Sequence, residues 1–311
     1  MKQVQTVYDH IRRNNIHTLL LIFMFPTIFI ALIFLFTCIV APLSTAINTT
    51  ISVAIPTIVT CMIWLTISWA FGDSMMLNMV NAQEINPNTP THRVIYKRVE
   101  NIALAAGLPT PRIYIIDSDA LNAFATGRTP RDASVALTRG IINNLEPLEL
   151  DGVIAHEMAH IGNRDIRLDM LLITGVGVTV FIADILGRNI MYGHSSSNND
   201  NNNSHAILLM VWLAFMVFNF FVTPLLRMAI SRNREYAADA TGAHITRNPH
   251  ALASALEKIS KNSSIHSADK IQSMSSVFIA SPNKKQAIGD LMSTHPPVSK
   301  RIERLKTMGL N

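Results

Sequence analysis

Apolar residues along this chain follow two patterns, long unbroken stretches and short segments with helical or alternating spacing. Ile16 to Ala41, Ile51 to Phe71, Leu171 to Leu186 and Ala206 to Leu226 are the long stretches, each within or near the roughly 17 to 25 residues needed to cross hydrocarbon. They predict four transmembrane helices. The first is too long for the apolar core of a signal peptide and lacks a small-residue cleavage site after it. Between the second and third, a polar linker over Asn81–Pro90 leads into Val94, Ile95, Val99, Ile102 and Ala106, one face of an amphipathic helix that Gly107 and Pro109 stop. Arg112–Ile116 and Ser134–Leu137, with Ala123–Thr126 between them in the chain, read as short strands of a small sheet. Pro147 suits the first turn of a further helix, with Glu146 and Glu149 near its positive end, and no breaker intervenes before His160. Beyond the fourth stretch, helical spacing returns over Ser231–Ile245, over Pro249–Ser260, and at Val298, Ile302 and Leu305. The Asn-rich tract Ser195–Ser204 reads as a solvated loop.

Composition supports the bilayer as solvent, since a chain that is 49% hydrophobic and only 15% charged is unusual for a soluble protein of 311 residues. The pattern divides the chain into a transmembrane pair over residues 1–71, a soluble segment over 72–169, a second transmembrane hairpin over 170–230 and a soluble segment over 231–311. Lys2, Arg12 and Arg13 precede the first membrane helix, Arg164 and Arg167 the third, and Arg227, Arg232 and Arg234 follow the fourth. The loop between the third and fourth holds only Arg188 among the strong bases. Basic residues are retained in the cytoplasm, so both termini and both soluble segments are expected there. The net charge of +5 follows largely from that bias and suits a domain lying against an anionic leaflet. No dense basic run with interleaved aromatics points to nucleic acid, and no Gly-rich phosphate loop points to a nucleotide. Cys38 and Cys61 both fall inside predicted membrane helices, as apolar fillers rather than a disulfide.

The chemistry begins at His156-Glu157-Met158-Ala159-His160. Residues four apart share a helical face, so the two imidazoles can bind one metal ion with Glu157 beside them. Zinc suits that spacing: it would polarise a scissile carbonyl and acidify a water, while Glu157 takes the water's proton and passes it to the leaving amine. A third protein ligand is needed. The extended metzincin pattern would require Gly and His where this chain has Asn163 and Ile166, so that class is excluded. The best candidate is Glu235, with Asp239 four residues on to accept the other ring N–H of a ligand histidine. The alternative is a solvated acidic face paired with Arg232 and Arg234. If the helices run on unbroken into the membrane, His160 and Glu235 lie at similar depth, roughly 15 Å from the bilayer. Asn163 and Asp165 read as residues that orient the helix end. His295, ahead of Pro296 and Pro297, is either a donor to developing negative charge or part of a structural turn.

Taken together, Asn122-Ala123-Phe124-Ala125-Thr126-Gly127, Arg131–Ser134, Val153–Glu157, Asn163 with Asp165, and Glu235–Asp239 resemble the HtpX family of heat-shock-associated membrane proteases. That family is related to the CAAX prenyl endopeptidases. The resemblance spans nearly the whole chain and implies an α-helical membrane protein with an α+β zincin-type metalloprotease domain, four transmembrane helices and a small β-sheet. It implies one Zn²⁺ on His156, His160 and Glu235, with Glu157 as catalytic base. It further implies a bacterial cytoplasmic (inner) membrane enzyme that cleaves misfolded or damaged membrane proteins. Asn122, Ala123, Phe124 and Ala125 then correspond to an edge strand on which substrate could add, although an ordinary core strand would look the same. Two rivals are a protease of lipid-modified C-terminal tails and a scaffold with structural zinc. The first needs a larger membrane chamber than four helices build. The second needs a Cys or His to close the metal's fourth position, and none stands at motif spacing.

Overall fold

The computed structural model describes residues 7–40, 42–192, 202–222, 232–261 and 296–308. Two long helices open the chain, α1 (Val7–Val40) and α2 (Leu43–Met79), separated at Pro42. At 37 residues α2 is roughly 55 Å long, well beyond the ~30 Å of a hydrocarbon core. The apolar stretch Ile51–Phe71 therefore covers only part of α2 and does not mark its ends. Ser44, Thr45, Asn48 and Thr49 interrupt the apolar run but stay helical.

The soluble segment begins with β1 (Gln83–Glu84), inside what reads in the sequence as a polar linker, then α3 (Pro90–Ala105), β2 (Arg112–Ile116), β3 (Ala123–Thr126) and β4 (Ser134–Thr138). The strands form one sheet in the order β1-β2-β4-β3, with β2 and β4 parallel and both outer pairs antiparallel. Alternation along the strands sends Ile113, Ala123, Ala125, Val135 and Leu137 into a core with Val153, Ile154, Met158, Leu252 and Leu256. The other face, Tyr114, Ile116, Phe124 and Ala136, packs with Met76, Leu77, Leu171 and Phe218 of the long apolar helices. The sheet thus joins the soluble core to the membrane helices.

After the short α4 (Arg139–Asn144) comes α5 (Pro147–Gly162), then α6 (Asp165–Tyr192). Between them Arg164 takes the left-handed conformation, φ 58°, so α5 does not run on into the third apolar helix. The condition on which His160 was placed at a matching depth is not met for that arm. Next is α7 (Asn202–Val217), closing in a π-helical turn, Phe218–Val222. Its first residues, Asn202 to Ser204, are helical although they belong to the Asn-rich tract. Then follow α8 (Arg232–Thr246), α9 (Pro249–Lys261) and α10 (Val298–Lys306). Among the described residues, three spans are long and apolar enough to cross a membrane: Asn14–Ile39, Leu43–Met79 and Asp165–Met191. In α7 and the π-helical turn that closes it, the apolar segment is Leu209–Phe220, and residues 223–226 of the predicted fourth span lie outside the described residues. Ile51, Ile55, Phe23 and Phe181 are exposed along these helices, as lipid-facing residues should be.

The start of α5 is fixed by Glu149. Its carboxylate accepts from the Glu146 backbone N–H at 2.8 Å, from the Ser254 hydroxyl at 2.6 Å and from the Lys258 ammonium at 2.7 Å. Burial pushes the Glu149 carboxyl up, but the bonds from Lys258 and Ser254 outweigh it and hold it below its ordinary 4.5. A carboxylate with a depressed folded value contributes stability above its unfolded value and loses it as pH falls. Thermal unfolding of the parent and of Glu149→Gln should therefore differ at neutral pH and converge as pH drops below 4.5. A constant difference down to acid pH would contradict the ionic part of this contact.

Candidate metal centre

α5 is buried along nearly its whole length and presents His156, Glu157 and His160 from its last two turns. α8 crosses close to it because Gly242 lacks a side chain: a Cβ there would sit 3.0 Å from the His156 backbone N. Gly152 permits the matching approach of α9, where a Cβ would meet the Leu252 backbone at 3.1 Å. The first of these brings Glu235 and Asp239 of α8 against the histidines.

One ligand atom from each of His156, His160 and Glu235 lies within 4.8 Å of the other two, and all three residues are buried. The Nε2 atoms of His156 and His160 are 3.2 Å apart, and they stand 3.8 and 3.6 Å from the Glu235 carboxylate. Ligand atoms on a tetrahedral ion with ~2.0 to 2.1 Å bonds are separated by roughly 3.3 Å, so the group could hold a metal ion with small adjustment. Each ring is oriented through its other nitrogen: His156 Nδ1 lies 3.1 Å from Asp239 Oδ1, and His160 Nδ1 lies 2.8 Å from Asp165 Oδ2. Such carboxylates select the tautomer whose Nε2 lone pair faces the metal. The acidic pair of α8 is not a solvated face. Arg234 turns away from it to Asp169 at 2.7 Å, with Asp165 at 3.7 Å.

Burial, joined by the Glu235 charge, pushes the Glu157 carboxyl up to about 7 against the pull of His160. Burial alone would favour neutral His160, but Asp165 and Glu235 outweigh it and push that imidazole up to about 9. Burial holds His156 below its usual range despite Asp239. Four buried carboxylates, Glu157, Asp165, Glu235 and Asp239, face two buried guanidinium groups, Arg234 and Arg301. The excess negative charge suits a divalent cation.

Arg301 was not singled out in the sequence. It is 0% exposed and its guanidinium bonds Asp239 twice, at 2.8 and 2.7 Å, with Nη1 3.2 Å from Glu235 Oε2 and Nη2 3.4 Å from His156 Nε2. A signal for it was present. Arg301 lies within the apolar face of α10 marked by Val298, Ile302 and Leu305, where a charge has to be paired. Arg304, one turn on, stacks over the Tyr236 ring of α8 at 3.6 Å and ties the two helices together.

β3, which carries Ala123, Phe124 and Ala125, pairs only with β4 among the described residues, so it is a sheet edge as well as a core strand. Asn122 is buried just before it, its backbone N–H donating to Thr138 Oγ1 at 3.1 Å. His295 lies outside the described residues.

Paired histidines on a buried helix, a buried glutamate between them and membrane-length apolar helices define the class, a membrane metalloprotease. Comparison with known proteins agrees with it. Residues 90–309 match the model of peptidase family M48. Curated proteins described as protease HtpX homologs are similar over most of their length. The one from Dictyoglomus turgidum is 40% identical over 238 residues, 76% of each chain. The one from Listeria monocytogenes is 39% identical over 247 residues, 76% of this chain and 80% of that one. The crystal structure of S. mikatae Ste24p aligns with 83% of this chain and 64% of its own, at a TM-score of 0.42 and 17% identity, a likeness too loose for residue-level comparison. The chain belongs to peptidase family M48, among the HtpX proteases.

Proposed function

We propose that this protein is a zinc-dependent endopeptidase of the bacterial cytoplasmic membrane that hydrolyses misfolded or damaged membrane proteins at the cytoplasmic face. The observation that carries the reading is the convergence of His156, His160 and Glu235 within 4.8 Å beside the buried Glu157. Two imidazoles and one carboxylate are the donor set of a catalytic zinc site that keeps a position open. Bound there, zinc supplies Lewis acidity toward the scissile carbonyl and toward water. Glu157, with its carboxyl raised to about 7, is poised to take a proton from water and return it to the leaving amine near neutral pH. Asp239 and Asp165 hold the imidazoles in register, and Arg301 holds Asp239 and Glu235.

Four membrane crossings, with both termini and the catalytic segments in the cytoplasm, follow from the distribution of Arg and Lys around the apolar stretches. The sheet packs directly on the apolar helices, which favours substrates that emerge from the bilayer. β3 offers an edge strand packed against α5, the helix that carries Glu157, so an extended substrate joining Asn122 to Ala125 would lie near the catalytic carboxylate. His295 is a candidate donor to the developing oxyanion.

The test uses the protein reconstituted in vesicles with a destabilised membrane protein as substrate. A chelator should stop cleavage and added zinc should restore it. Cleavage that persists in the metal-stripped protein would contradict the reading.

A further inference from the structure

The first membrane helix reaches into the metal centre. α1 lies wholly outside the residues 90–309 that the family profile matches, yet Asn14, 4% exposed, contacts the junction between α5 and α6. Its single side-chain amide donates to the Asn163 carbonyl at 3.0 Å and to Asp165 Oδ1 at 2.5 Å. The second bond is short and charge-assisted, because Asp165 is a buried carboxylate. The other oxygen of the same carboxylate is the one 2.8 Å from His160 Nδ1. A continuous chain therefore runs from the first membrane helix through Asp165 to a metal ligand.

The junction needs this support. Arg164 holds a left-handed φ of 58°, a conformation that residues with side chains rarely adopt and that persists only where the surroundings impose it. Asn14 grips the chain on both sides of that residue, at Asn163 and at Asp165. Arg234 Nη1 also faces Asp165 Oδ1, but at 3.7 Å it is beyond hydrogen-bond distance and cannot fix the carboxylate's rotation. One turn further along α1, Thr18 bonds the Asn14 carbonyl at 2.8 Å, within the helix. The neighbouring Asn15 makes a different contact, accepting from Arg167 Nη1 at 3.3 Å, without touching Asp165.

We propose that Asn14 is a positioning residue for His160: through Asp165 it sets the ring's orientation, so the seating of the first membrane helix tunes the metal site. The inference rests on the reading of His160 as a zinc ligand. Outer partners of ligating histidines typically change metal affinity by about 10- to 100-fold, and a residue one bond further out belongs at the low end of that range.

The test measures zinc affinity by competition with a chelator, and the visible spectrum of the cobalt-substituted protein, on full-length parent, Asn14→Asp, Asn14→Ala and Asn15→Ala. Asn14→Asp replaces the donating amide with a carboxylate facing Asp165. It should weaken zinc by about tenfold and alter the cobalt spectrum, with Asn14→Ala smaller in the same direction. Asn15→Ala should match the parent in both. If Asn14→Asp does not fold, Asn14→Ala decides the matter. Parent-like zinc affinity and spectrum in the Asn14 variants, or an equal loss in Asn15→Ala, would overturn the proposal. A parent that binds no zinc would overturn it together with the catalytic reading, whereas a zinc-binding parent with unaffected Asn14 variants overturns the proposal alone.

Discussion

Glu157→Gln protein should bind zinc at the parent's stoichiometry and cleave peptide bonds about 10²- to 10⁴-fold more slowly. The side chain sits between the two histidines in sequence but is absent from the group of ligand atoms that converge, so its removal leaves His156, His160 and Glu235 in place. What is lost is a buried proton acceptor. Glutamine keeps the volume but cannot take up a proton, so packing effects are separated from chemistry. The comparison is a time course of substrate cleavage on protein whose metal content has been measured. Equal rates in variant and parent would remove Glu157 from the mechanism.

Replacing Arg301 should have the largest effect on the integrity of the centre. Its guanidinium is fully buried and neutralises Asp239 and Glu235, and it holds the Asp239 carboxyl down at about 2 although burial works to raise it. Removing one partner of a buried charge pair costs about 3 to 5 kcal/mol, because the remaining charge is left uncompensated. Arg301→Met fills much of the volume and leaves two carboxylates facing each other, so the metal-free protein should lose stability by about that amount in a chemical denaturation series. Bound zinc should recover part of the loss, since the dication supplies positive charge at the same place. Unchanged stability in the metal-free variant would mean that Arg301 is not the counter-charge.

Much of this centre is legible in the sequence because helical spacing alone sets which side chains share a face. His156 with His160 and Glu235 with Asp239 are both four apart, and the structure brings the two pairs together. Other features are not legible in that way. Gly242 is an unremarkable residue in a helix until α5 is known to cross there, and only then does its missing Cβ matter. β1 is made of Gln83 and Glu84, a two-residue pair without β-branched or aromatic side chains that joins Ile115 and Tyr114, with one side-chain bond from the Tyr114 hydroxyl to Glu84 Oε2 at 3.2 Å. Asn14 reads as one polar residue ahead of an apolar helix, and its partners are about 150 positions away in the chain. Hydropathy likewise located the membrane-length helices but not their ends, because Leu43–Thr50 stays helical where it is no longer apolar. The break at Arg164 was also hidden, since a left-handed arginine carries no compositional mark.

The most direct test of the central claim pairs metal analysis with cleavage of a membrane substrate by the parent, Glu157→Gln and Glu235→Ala, purified under identical conditions. One zinc and full activity in the parent, zinc without activity in Glu157→Gln, and loss of both in Glu235→Ala is the expected result. Full zinc and full activity in Glu235→Ala would contradict the assignment of the third ligand and with it the site described above.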